Sequence, residues 1–143
     1  MGYVFDLKAA REYDNWYQDP ENRFVADLEN QLMLRLLEPL RGERVLDIGC
    51  GTGRHLLMFL KMGLDITGLD ASPHVLKIAK KRLGRHGELH QGVAEDLPFE
   101  DNSFNIATLI TTLEFVGDVE KALQEACRVA KDRIFLGVLN RYA

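Results

Sequence analysis

At 143 residues the chain can form one domain that buries about 68–70% of its unfolded surface, and its 46% apolar and 28% charged content is ordinary for a globular protein. The formal charge of −4 argues against a nucleic-acid surface, because phosphate binding needs clustered cations. No run reaches the roughly eighteen apolar residues of a membrane span, the N-terminus has no signal core, and Asp6 stands where a myristoylation signal wants Ser or Thr, so the expected address is cytoplasmic, away from any membrane.

Apolar spacing predicts a first helix over "LKAAREYDNWY", with Leu7, Ala10, Tyr13, Trp16 and Tyr17 in register. Asp19 caps a second helix, with Pro20 at its first position, where a missing N–H costs nothing. Phe24, Val25, Leu28, Leu32 and Leu36 are expected to line that helix until Pro39. "RVLDI" reads as a short apolar strand closed by glycines, and residues 54–62 as a helix that stops at Gly63. "LDITGLD" is a second strand; Ser72 and Pro73 open the next helix and Gly84 ends it. "ELHQGV" is a weaker third strand, followed by the loop "AEDLPFEDNS" and a fourth strand, "FNIATLI", apolar enough to be buried on both faces. Asp118 caps a helix bearing Val119, Ala122, Leu123, Ala126 and Val129, and "RIFLGVL" is the fifth strand.

Strands separated by helices of this length imply an α/β fold with a parallel sheet and right-handed crossovers, which binds its ligand at the carboxyl ends of the strands. No repeat or linker divides the chain, so residues 1–143 are read as one domain, with 1–38 as covering helices and 39–143 as the binding core. The basic run Lys77, Lys80, Lys81, Arg82 and Arg85 reads as a solvated helix face. Cys50 and Cys127 form no spacing motif and are expected to be reduced thiols; His86 and His90 flank Gly87 and are not expected to share a metal.

The segment "RVLDIGCGTGRH" carries the chemistry. Glycines between a strand and a helix let a ligand approach the backbone. The dinucleotide fingerprint needs a third glycine where Arg54 stands, and the P-loop needs Gly-Lys-Ser/Thr, which is absent. Asp47 stands two residues before Gly49, where a carboxylate would repel a pyrophosphate and attract an ammonium. S-adenosylmethionine carries an ammonium and a sulfonium and no phosphate. Asp47 can equally serve the loop by accepting backbone N–H bonds. Asp70 ends the second strand nineteen residues after Gly51, about where an acid grips the ribose hydroxyls of an adenosine-type cofactor.

Together, "VLDIGCGTG", "LDITGLDASPHVLKIAKKR", "GVAEDLPFEDNSFNIATLITTLEFV" and "VEKALQEACRVAKDRIFLGVLN" resemble the class I S-adenosylmethionine-dependent methyltransferases, in their small-molecule type 11 branch. The resemblance implies a three-layer Rossmann-like sheet of about five strands, order 3-2-1-4-5, with helices on both faces and N-terminal helices over the cleft. It implies S-adenosyl-L-methionine as cofactor, S-adenosyl-L-homocysteine as product and a small-molecule acceptor. Carried across, the glycine loop falls on Asp47, Gly49, Cys50, Gly51 and Gly53, and the ribose acid on Asp70 beside Ala71. The adenine edge falls on Val93, Ala94 and Glu95, and Ile110 and Thr111 would lie by the methionine portion. "YDNWY" is similar to a lid helix, with Tyr13 as a carboxylate contact and Trp16 or Tyr17 as a pocket wall, against simple packing onto the sheet.

Three departures stand out. Val93 replaces an acid that many relatives direct at the adenine amine. "AKDR" replaces a Pro-Gly-Gly turn before the fifth strand, which implies a tighter or different connection. Relatives continue with further strands, so the fifth strand is expected to be an open edge, reflecting either a shortened chain or a homodimer through that edge. The candidates for a base or an acceptor contact are His55 and Glu114, with Asn140, Arg141 and Tyr142 following toward the same rim. The leading reading is a methyltransferase. The alternative is a non-catalytic S-adenosylmethionine-binding or regulatory module, and a nicotinamide-dependent oxidoreductase is disfavoured by Arg54.

Overall fold

The computed structural model describes residues 6–138, apart from the side chains of Leu7, Ala9, Ala10 and Tyr13. Along the chain run α1 (Leu7–Trp16), α2 (Pro20–Leu37), β1 (Arg44–Ile48), α3 (Arg54–Lys61), β2 (Asp65–Asp70), α4 (Pro73–Leu83), β3 (Glu88–Gln91), β4 (Phe104–Ile110), α5 (Val119–Val129) and β5 (Ala130–Gly137). A 3-10 turn, Leu113–Phe115, sits between β4 and α5. The strands form one parallel sheet in the order β3-β2-β1-β4-β5, the order expected. The reversal of order between β1 and β4 leaves a crevice at their carboxyl ends, beside the glycine loop.

Alternation along β1 supplies both faces of the core. Val45 packs with Met33, Leu37, Leu56, Phe59, Leu83 and Ile106, which places α2, α3 and α4 on one side. Leu46 and Ile48 pack with Phe104, Leu109, Ala122, Ala126 and Val129, which places α5 on the other. The caps expected from sequence are present. Asp19 accepts from the Glu21 amide, Ser72 from the Val75 amide and Asp118 from the Lys121 amide. Each satisfies an N–H that the first helical turn leaves without a partner.

Two expectations change. The row Phe24, Val25, Leu28, Leu32 and Leu36 does not face the sheet; these side chains are 45–66% exposed, while Ala26, Met33 and Leu37 are buried. α2 is apolar on two faces, and the one bearing Ala26, Met33 and Leu37 is turned inward. The second change is Arg82. Lys77, Lys80, Lys81 and Arg85 are exposed, but Arg82 turns inward and donates to the Thr52 carbonyl at 2.6 Å.

The connection into β5 is tighter than a loop, since α5 ends at Val129 and β5 begins at Ala130. The long β3–β4 segment is stitched to α5 by Arg128, which bonds the Phe99 and Leu97 carbonyls and the carboxylates of Glu125 and Asp101. Glu125 in turn accepts from the Leu97 amide at 2.9 Å.

Candidate functional site

The glycine loop leaves β1 and doubles back onto β2. The amides of Gly49 and Cys50 both donate to the Leu69 carbonyl, at 2.7 and 3.0 Å, and that of Gly53 to the Cys50 carbonyl. The Gly51 amide donates to Asp70 Oδ2 at 2.9 Å. All four N–H groups are therefore used inside the protein, whereas a phosphate-cradling loop aims its amides at the ligand. Gly49 (φ +77°) is pressed against Thr112, whose hydroxyl would lie 2.5 Å from an added Cβ. Gly51 (φ +56°) faces open space, with no atom within 4 Å of a Cβ placed there. The surface of the loop available to a ligand is therefore at Gly51.

Two carboxylates flank this surface. β1 carries Asp47 at its fourth position, level with Gly68 of β2 and Thr108 of β4. Asp47 is 2% exposed and accepts from Thr108 Oγ1 at 2.8 Å. Burial raises its pKa to about 7, against the lowering effect of the Thr108 bond and with a further upward push from Asp70. Asp70 ends β2, and its oxygens accept from the Gly51 and Ser72 amides, both at 2.9 Å. Burial raises its pKa too, opposed by these backbone bonds. A pair of acids held against their preference for ionisation is poised to gain from an incoming cation or from hydroxyl donors.

The remaining expected residues distribute unevenly. The Cys50 thiol is buried in the core, and burial holds its pKa well above the usual range, so this residue reaches the crevice through its backbone alone. Ala71 lies just past Asp70, and its carbonyl accepts from Gln91. Ala94 is buried, while Glu95 turns away to accept from the Gly117 and Asp118 amides at 3.2 and 3.4 Å. Thr111 follows β4 with φ +52°, an uncommon conformation for a β-branched residue, and donates from its amide to the Gly137 carbonyl. Glu114 lies exposed on the 3-10 turn. The side chain of Tyr13 and all of Asn140, Arg141 and Tyr142 lie outside the described residues.

His55 lines a cavity of about 200 Å³ together with Tyr17, Arg23, Asp27, Asn30 and Arg54, between the start of α2 and the first turn of α3. Burial, and then the neighbouring Arg54 charge, lower the His55 pKa to about 4, so the ring is neutral at physiological pH. Among the described residues no group of three or more His, Cys, Asp or Glu side chains could hold a metal ion, and no helix is long and apolar enough to cross a membrane.

Sequence reasoning missed the side chains that hold the loop from outside. Asp14 Oδ1 accepts from Thr52 Oγ1 at 2.8 Å and from Arg54 Nε at 3.1 Å, and Asp14 Oδ2 lies 3.4 Å from Arg82 Nη2. The Arg54 guanidinium stacks over the Tyr17 ring, 4.3 Å from its centroid. These residues are 38 to 68 positions apart, and no local spacing signals them. Thr108 was likewise hidden, as an unremarkable residue of an apolar strand.

Comparison with known proteins places this geometry in a family. The model of the type 11 methyltransferase domain matches residues 46–136. The chain is 39% identical over 141 residues to an uncharacterized protein of Methanocaldococcus jannaschii, covering 96% of this chain and 62% of that one. It is 38% identical over 110 residues to the demethylmenaquinone methyltransferase of Thermotoga maritima, covering 76% of this chain and 48% of that enzyme. A crystal structure from Methanococcus maripaludis, classed as an S-adenosylmethionine-dependent methyltransferase, superposes with a TM-score of 0.79 at 24% identity, covering 99% of this chain and 68% of the other. At that identity the superposition speaks for the fold. The chain thus spans 62% and 48% of the lengths of these two curated relatives.

Proposed function

The chain belongs to the class I S-adenosylmethionine-dependent methyltransferases, in their type 11 branch, and from that premise we propose that it transfers a methyl group from S-adenosyl-L-methionine to a small-molecule acceptor in the cytoplasm. One observation carries the choice of ligand. The amides of Gly49, Cys50, Gly51 and Gly53 are spent within the protein, and the ionisable groups facing the crevice are the acids Asp47 and Asp70. A diphosphate would find the amides of these four residues already engaged and two carboxylates beside them. A nucleoside bearing its own cation fits.

In this reading Asp47 faces the ammonium of the cofactor, and Asp70 accepts from the two ribose hydroxyls with lone pairs its backbone bonds leave free. Gly51 lets the nucleoside lie against the backbone. Because the Glu95 carboxylate is engaged with Gly117 and Asp118, the adenine edge is met by the backbone around Val93 and Ala94. Gly49 and Thr111 shape the turn beside the methionine portion. When bound, the cofactor supplies a methyl group already activated on sulfur. The task of this chain is to hold both reactants in line and exclude water, which can lower a barrier by about 7–11 kcal/mol.

Calorimetric titration with S-adenosyl-L-homocysteine, with NAD in parallel, tests the reading. Binding of the homocysteine nucleoside without NAD is expected, and binding of NAD alone refutes the proposal. A second reading, a cofactor-binding module without turnover, is favoured by the state of His55, whose ring is too weakly basic to take a proton at neutral pH. Uptake of labelled methyl from metabolite extracts separates the two readings. We place a homodimer along the outer edge of β5, which has no strand beyond it among the described residues. A sedimentation mass equal to one chain at high concentration counts against it.

A further inference from the structure

The clamp around Asp14 joins three elements. Its carboxylate binds Thr52 of the glycine loop, Arg54 at the start of α3 and Arg82 of α4, while Arg54 Nη2 also reaches the Asp14 carbonyl at 3.3 Å. Arg82 closes the ring by donating to the Thr52 carbonyl at 2.6 Å. Thr52 is therefore gripped at both its hydroxyl and its carbonyl, and it stands between Gly51, which faces the ligand, and Gly53. Among the described residues Asp14 is the one residue of α1 that forms an ion pair. The three charged side chains are 20–27% exposed, so the pairs are screened less than pairs in open water.

We propose that Asp14 is a positioning residue for the cofactor: its carboxylate clamps α1 onto the glycine loop, and the opening of this clamp sets how fast the bound nucleoside leaves. The inference rests on the reading that S-adenosyl-L-methionine occupies the crevice. Its physical basis is charge. Arg54 and Arg82 bring two guanidiniums to one carboxylate, and without that carboxylate they repel each other and release both α1 and Thr52. Arg54, freed from Asp14, also loses the constraint that holds it over Tyr17. Local opening of this kind is expected to leave the two hydrophobic cores intact, because among the described residues neither core includes one of α1.

The protein carries its own reporter. Trp16 is the single tryptophan, sits at the end of α1 and meets the Tyr17 ring edge-on at 5.0 Å. Stopped-flow release of S-adenosyl-L-homocysteine, followed by Trp16 emission, is compared in the parent protein, Asp14→Asn and Asp14→Glu. Without the carboxylate the Arg54 and Arg82 charges face each other unopposed and Thr52 loses a hold, so Asp14→Asn is expected to release the nucleoside about tenfold faster. The thermal midpoint of the ligand-free protein should change little, and Asp14→Glu should recover part of the effect. Added NaCl should hasten release from the parent and not from Asp14→Asn.

Hydrogen exchange of α1 in the ligand-free proteins provides a readout independent of binding; faster exchange confined to α1 and the glycine loop is expected in Asp14→Asn. Unchanged release together with unchanged α1 exchange overturns the clamp, as does an affinity loss that merely tracks global unfolding. If the parent protein binds no S-adenosyl-L-homocysteine, the functional reading fails and the cofactor role of Asp14 falls with it. If the parent binds and Asp14→Asn releases at the parent rate, the clamp alone fails.

Discussion

Asp47 is held where a carboxylate is least comfortable, and replacing it should expose that strain. Its folded pKa is about 7 against an ordinary value of 3.8. Between those two values the native protein keeps a proton that the unfolded chain has released. Stability therefore falls as pH rises through this window and is flat outside it. Integrated from pH 5 to pH 8, the loss is about 3 kcal/mol. Asp47→Asn removes the titration while keeping the shape and an acceptor for Thr108. Its new NH₂ group needs an acceptor, at a pH-independent cost of about 1–3 kcal/mol. The informative quantity is thus the change in the stability difference between Asp47→Asn and the parent protein with pH. It should move in favour of Asp47→Asn by about 3 kcal/mol between pH 5 and pH 8, or about 10 °C in thermal midpoint. Urea denaturation or calorimetry at the two pH values measures it. Titration of His55 is common to both proteins and largely cancels. The same substitution should weaken S-adenosyl-L-homocysteine binding. A difference in stability that does not vary with pH refutes the account of Asp47.

Gly49→Ala should cost about 2–4 kcal/mol in chemical denaturation, because its Cβ would collide with Thr112 at 2.5 Å. Gly51→Ala, with open space around the new methyl, should cost about 1 kcal/mol yet lower S-adenosyl-L-homocysteine affinity at least tenfold by calorimetry; an unchanged affinity removes Gly51 from the ligand surface. Leu32→Lys, on the outward row of α2, should shift stability by no more than about 0.5 kcal/mol, whereas Met33→Lys, one residue on and 2% exposed, should cost about 3 kcal/mol or more. The reverse order would mean that α2 is turned the other way. The His55 pKa is about 4 against an ordinary value of 6.5, so its ring should not titrate by NMR between pH 6 and 8. Its contribution to stability is retained above the ordinary value and lost as pH falls toward about 4; a midpoint near 6.5 contradicts its burial.

The elements that could be read in the sequence share a local cause. Asp19, Ser72 and Asp118 act on amides two or three residues away, so each cap is visible in a few letters. The strands β1, β2 and β4 carry apolar residues at both alternating sets of positions, which calls for burial on both faces, and a sheet layered between helices provides it. α2 marks the limit of such reasoning. Both its faces are apolar, so spacing alone does not choose between Met33 and Leu37, which are buried, and Leu32 and Leu36, which are exposed. Glu95 shows the same limit within the site. Its position beside Ala94 is fixed by sequence, but its carboxylate is claimed by amides 22 and 23 residues further on.

The sequence by itself determined the strands, the parallel sheet and the site of the crevice, because strand length, cap chemistry and glycine placement are written in neighbouring residues; the strand order was implied by the family its motifs resemble. It also determined that the loop carries acids and lacks the residues of a phosphate cradle. Only the tertiary structure decided how those groups are disposed: Asp47 buried against Thr108, the loop amides consumed by Leu69 and Asp70, and Arg54 and Arg82 gathered onto Asp14. These are contacts between distant segments. They follow from which faces pack together, which local propensity does not encode.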